Sequence, residues 1–158
     1  MKGRTRGFTL VELMLVIAVI AILMTLVTGG VMRVIRNARE KRIDSMCTTL
    51  GLALMNYRGG EGRWPVGLPP EPGRDTVTFK EEKNAEVFAD LIKEGGYLST
   101  AEYLTKVNGR VMSLREAVNQ GRTSVPLGYP NPRNTSMFHF FNVEFNIITD
   151  SVSVQRSH

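Results

Sequence analysis

The chain is short of the residues that metal sites, disulfide frameworks and most catalytic sites are made from. Its 158 residues hold one cysteine, Cys47, two histidines, His139 and His158, and one tryptophan, Trp64. A single thiol excludes an intrachain disulfide and any zinc site built of thiolates, so the fold must rest on packing. No His pair at metal-ligand spacing, phosphate loop or Gly-x-Gly-x-x-Gly pattern occurs. A hydrolytic triad would have to use His139, within Phe138-His139-Phe140-Phe141, where a strand histidine at a rim is the plainer reading. No catalytic residue and no cofactor is therefore assigned. Excess charge is scarce as well: 20 Lys and Arg stand against 15 Asp and Glu, and without Lys2, Arg4 and Arg6 the count is 17 against 15. That balance is too even to argue for nucleic acid by charge alone.

What the chain does have is one long apolar run. From Phe8 to Thr28 the residues are apolar apart from Thr9, Glu12, Thr25 and Thr28. At about 1.5 Å per residue a helix of that length crosses a hydrocarbon core of about 30 Å. Two ordinary readings compete, a cleaved secretory signal and a signal anchor with its basic leader held in the cytoplasm. The run exceeds the roughly 7 to 15 residues of a signal core, and Thr25-Leu26-Val27-Thr28-Gly29-Gly30 is a poor cleavage site. An anchor explains length and leader but not Glu12, the only ionisable side chain between Arg6 and Arg33. A charge inside such a segment costs roughly 2.5 to 3.5 kcal/mol on insertion scales, so it needs a partner. Orientation is not fixed by charge, because Arg33, Arg36, Arg39, Lys41 and Arg42 crowd the far end too.

Gly7-Phe8-Thr9-Leu10-Val11-Glu12, between the basic leader and Leu13-Met14-Leu15-Val16-Ile17-Ala18, resembles the cleavage and methylation motif of type IV pilins and type II secretion pseudopilins. The resemblance implies a prepilin peptidase that cuts between Gly7 and Phe8 and methylates the new amine of Phe8. It implies a subunit held in the inner membrane by a single span, its head in the periplasm or outside. Such a subunit is passed by an inner-membrane assembly platform into a helical filament of itself or of homologous subunits. The chemistry agrees, since a cut there creates a cation at the helix start that neutralises Glu12, where an acid is also favoured by the helix dipole. Phe8 and Glu12 lie about 6 Å apart along a helix axis, so the amine is either the chain's own or a neighbour's. The resemblance implies the neighbour, making Glu12 and Phe8 an assembly and register pair.

The predicted organisation is a leader over 1–7, a transmembrane helix over 8–28, its amphipathic continuation over 29–58 and a soluble head over 59–158. Gly29-Gly30 disfavours helix by about 2 kcal/mol relative to alanine, which predicts a membrane-exit hinge or a joint that melts locally. Val31, Ile35, Ala38, Arg42 or Ile43, Met46, Leu50, Ala53, Leu54 and Tyr57 then recur at spacings of mainly three and four, one stripe facing a core. Cys47 falls on the same side as a small buried apolar residue. Gly59-Gly60-Glu61-Gly62 and Trp64-Pro65 predict a helix end near Arg58, with Trp64 packed back onto it. Gly62-Arg63-Trp64-Pro65 is similar to the segment that follows the long helix in many pseudopilins.

In the head, residues 66–83 read as a loop with a short strand around Val77 and Phe79, and a helix follows over 86–94. The capping-box patterns Ser99-x-x-Glu102 and Ser113-x-x-Glu116 predict short helices over about 100–106 and 114–120. Pro126, Pro130 and Pro132 read as loop. Phe141, Val143, Phe145 and Ile147 alternate with polar residues as a strand, Asp150-Ser151 as a turn, and Val152 and Val154 as a second strand. The class is α+β: a long N-terminal helix packed on a small antiparallel sheet with short helices, in outline the pilin-like fold.

Major pseudopilins often bind calcium near the C-terminus, and Asp150, with Ser151 and Ser153, is the nearest candidate here; one carboxylate is thin for an ion that takes six to eight oxygens. The leading function is a structural filament subunit that catalyses nothing. With no cysteine pair to close a C-terminal loop, a type II secretion pseudopilus is preferred over a type IV pilus. The alternative is a DNA-binding competence pilin using Arg110, Arg115, Arg122 and Arg133, with Tyr129 or Phe138 for stacking. A membrane-anchored hydrolase ranks last.

Overall fold

The computed structural model describes residues 8–65, 75–94, 96–100 and 102–157; the leader and Gly7 lie outside these, as does most of the loop expected over 66–83. The chain divides into two compact units, residues 1–38 and 39–158, and one continuous helix, α1 (Leu10–Glu61), contributes to both.

In the first unit every described side chain from Phe8 to Ala38 is exposed. Over residues 10–24 there is no polar face: Leu10, Val11, Leu13, Leu15, Val16 and Val19 point in all directions around the axis. The helix runs through Gly29-Gly30 unbroken, where the sequence predicted an interruption. Propagation explains this, since each residue added to a formed helix gains a hydrogen bond, and long helical flanks carry the pair across.

The second unit is built on the remainder of α1. Ile43, Cys47, Leu50, Leu54 and Tyr57 are buried, at alternating spacings of four and three, and Ala53 lies beside them. They pack in one core with Leu127, Tyr129, Phe141, Val143 and Phe145 from the sheet. The helix passes the expected end at Arg58 and stops at Glu61, because the left-handed cap is Gly62 (φ +68°), not Gly59 or Gly60. Gly60 has a packing role: a Cβ there would collide with the hydroxyl of Tyr97, whose ring meets Tyr57 edge-on at 5.3 Å.

The sheet is antiparallel throughout, with strands β1 (Thr76–Phe79), β2 (Leu104–Val107), β3 (Arg110–Ser113), β4 (Leu127–Pro130), β5 (Phe138–Asn146) and β6 (Ser151–Arg156). The order is β1-β5-β4-β2-β3, with β6 along β5. Phe141, Val143 and Phe145 face the core as the alternation predicted, although β5 begins earlier, at Phe138. Asp150 takes a left-handed conformation (φ +47°) in the turn to β6.

Two expectations fail. The helix expected over about 100–106 is replaced from Leu104 by β2, because Asn108-Gly109 (φ +51° and +79°) folds β2 back on β3 as a two-residue hairpin. The loop expected around Pro126 and Pro130 contains β4, whose proline stands at the strand's last position, where no further ladder bond is needed.

Two α-helices complete the described residues of the head, α2 (Asn84–Glu94), entered through a 3-10 turn at Glu81–Lys83, and α3 (Leu114–Asn119). The second is capped as expected, the Ser113 hydroxyl accepting from the Glu116 N–H at 3.2 Å. α2 buries Val87, Phe88 and Leu91 and begins on a fully buried Asn84. That amide donates to the carbonyls of Leu127 (2.8 Å) and Phe141 (2.7 Å) and accepts from the Leu127 N–H (3.0 Å). It fills the gap where β4 and β5 separate after Gly128 and Phe140, the last pair on that side of their ladder.

Candidate functional site

The helix start is organised by two side chains. Thr9 precedes the first helical residue, and its hydroxyl accepts from the Glu12 N–H at 3.3 Å. Glu12 reaches back: its Oε2 accepts from the Thr9 N–H and from the Thr9 hydroxyl, each at 2.9 Å. This is a reciprocal capping box, in which hydroxyl and carboxylate each satisfy a backbone donor the helix leaves open. Three residues apart, the pair fixes the carboxylate close to Phe8, itself 79% exposed. Among the described residues these bonds use only Oε2 of Glu12, so Oε1 is an acceptor for a further donor or a cation. Of the sites expected from the sequence, Glu12 is bonded to Thr9, the residue after Phe8, while Gly7 lies outside the described residues. Thr9 was not singled out, although Thr9-x-x-Glu12 is the same pattern that identified Ser113-x-x-Glu116.

At the other end of α1, Asp150 is engaged by protein donors. Its Oδ1 accepts from Trp64 Nε1 at 2.7 Å and its Oδ2 from Arg58 Nη2 at 3.3 Å. The Trp64 bond first and then the Arg58 bond hold this carboxyl below its ordinary pKa, outweighing desolvation. The Trp64 ring meets Phe145 edge-on at 5.1 Å, and the Arg58 guanidinium lies 5.7 Å from its centroid. Trp64 thus clasps the helix end to the sheet. A guanidinium sits against this carboxylate, and among the described residues no three His, Cys, Asp or Glu side chains gather.

A cleft of about 390 Å³ is lined by Glu40, Asn131, Arg133, His139, Arg156 and Ser157, among others. It brings serine, histidine and an acid to one place, as a hydrolase would require. The hydrogen bonding argues against that use. Asn131 Oδ1 accepts from the N–H groups of Arg133 (2.8 Å) and Asn134 (3.2 Å), which fixes the amide so that Nδ2 points at His139 Nε2, 2.9 Å away. Nε2 is therefore the acceptor and Nδ1 carries the proton, and Nδ1 is the nitrogen facing Ser157 Oγ at 3.5 Å. A nitrogen that already holds its proton takes none from serine.

Of the residues considered for nucleic acid, the two aromatics are covered and two of the arginines stand apart. Tyr129 is 3% exposed, with its hydroxyl donating to the Ser157 carbonyl at 3.0 Å and its ring stacked on His139. Phe138 is half-buried, lying over Gly128 and edge-on to Phe140. Arg122 and Arg133 line different clefts. Cys47 is buried and unpaired, and burial, then the neighbouring Asp44, pushes its thiol up to about 11.

Among known proteins, residues 2–28 match the family described as the prokaryotic N-terminal methylation motif. No curated protein and no solved structure matches the chain.

Proposed function

We propose that this chain, whose residues 2–28 match the prokaryotic N-terminal methylation motif, is a type IV pilin-like protein and a structural subunit of a type II secretion pseudopilus. It is cut between Gly7 and Phe8, methylated at Phe8, anchored in the inner membrane by residues 8–28 with its head in the periplasm, and assembled through packing of its N-terminal helix. The observation that carries this reading is Glu12: one carboxylate at the start of an otherwise apolar helix segment, held by Thr9 with an acceptor to spare. A neighbour's Phe8 amine is the cation that suits it, and the pairing favours one axial offset between subunits over others. The near-even charge of the chain and the burial of Tyr129 support a structural role over DNA capture. The single cysteine supports a pseudopilus over a pilus subunit closed by a disulfide.

N-terminal sequencing of protein recovered from membranes should return N-methylated Phe8; a working form that still begins at Met1 would remove the proposed pair. Glu12→Ala should insert in the membrane as the parent does and fail to enter filaments, read by shearing and sedimentation.

A further inference from the structure

A run of cations that follows the apolar segment is not used by the assembly pair. From Gly29 to Arg42 the sequence holds Arg33, Arg36, Arg39, Lys41 and Arg42 against one acid, Glu40. In the second unit Arg39, Lys41 and Arg42 are exposed, whereas Glu40 is half-buried in the cleft with Asn131 and Arg133. The head adds to this end of itself. Arg39 and Arg42 share a cleft with one acid, Glu102, and with Pro130, Asn131 and Thr135, so the β4–β5 loop lies beside the first turns of the head's helix. That loop is shaped by its own bonds: Asn131 holds the N–H groups of Arg133 and Asn134, and the Met137 N–H donates to the Asn134 carbonyl at 2.9 Å. It presents an exposed Arg133 and a Met137 that is 52% exposed.

Cations around an exposed apolar tip suit a lipid headgroup layer, where each Lys or Arg adds to the attraction of an anionic surface. We infer that this end of the head docks on the anionic phospholipid headgroups of the membrane that holds residues 8–28. The inference rests on the anchored reading above. Arg39 follows Thr28 by only 11 residues in sequence, and the pull of an anionic surface reaches about one Debye length, about 8 Å, beyond its headgroups. Tethering also places the patch at high local concentration over the lipid, so weak attractions per residue suffice.

The test uses the full chain in vesicles of phosphatidylcholine alone or mixed equally with phosphatidylglycerol, with an environment-sensitive dye on Thr135→Cys. The buried Cys47 stays unlabelled. Docking predicts blue-shifted emission in the anionic vesicles only, reversed in about 1 M salt, where the Debye length is about 3 Å. The docked population should fall about fivefold for each of Arg39→Gln, Arg42→Gln and Arg133→Gln, and the three lysine replacements should restore it. Equal emission in both vesicles, or a shift that follows protein density instead of lipid charge, overturns the inference, the latter in favour of a second copy on this surface. A carbonate wash separates the two readings: chain retained without a shift overturns docking alone, whereas chain released from both vesicles overturns the anchor and docking with it.

Discussion

The two parts of α1 carry apolar residues at helical spacing and present them to different surroundings. Leu13, Ile17 and Ile20, and further along Val31 and Ile35, are all exposed, whereas Ile43, Leu50, Leu54 and Tyr57 are buried under the sheet. What differs is the rest of the circumference. Around Leu50 the other faces are Asp44, Thr48, Thr49 and Asn56, which need water, so only one face is available to a core. Around Ile17 no position needs water, and a sheet could cover only part of such a cylinder. The first part calls for a surrounding that is apolar on every side, lipid or other helices of its kind.

The largest effect should come from shortening one side chain in each part. Leu54→Ala should cost the head about 3 kcal/mol through a cavity in its core. Leu15→Ala, at a position 66% exposed, should leave the urea midpoint of the head where it was. Equal losses would mean that the two parts are not independent. A smaller contrast uses the two capping boxes. Ser113→Ala should lower head stability by about 1 kcal/mol, while Thr9→Ala should leave it unchanged and show instead in the helicity of the first turns, followed by amide exchange. The smallest effect concerns the clasp at the far end of the helix. Asp150 is held below its ordinary pKa in the folded head, so its contribution is complete above about pH 4 and is lost as pH falls through the lower folded value. Asp150→Asn should flatten that part of the stability profile; an unchanged profile would show that the Trp64 and Arg58 bonds form without the charge.

Legibility from sequence followed the range of the interaction. The buried stripe of α1 and the alternation of β5 could be read because each is a period within one element. The helix start was half legible: Glu12 stood out as a charge, and Thr9, three residues before it, was passed over although the capping pattern was in view. Asn108-Gly109 was equally local and was missed because Ser99-x-x-Glu102 offered a competing helix start. β4 was hidden by its flanking prolines, and its pairing with β5 is a tertiary fact. Asn84 could not have been found at all, since its partners Leu127 and Phe141 are 43 and 57 residues away and nothing local marks a polar residue for burial. The same holds for Asn131 and His139, where the proton's position follows only from the bonded network.

The stripe from Ile43 to Tyr57 has a mechanical meaning. Side chains along several turns of α1 are seated in one core, with Trp64 and Asp150 fastening the far end. A pull on the amino end of the head's helix, directed along its axis, strains those contacts in parallel and not one after another. Resistance in that direction is a shear strength, summed over the row, and it leaves the same joint far weaker against a force that peels the helix sideways from its first turn.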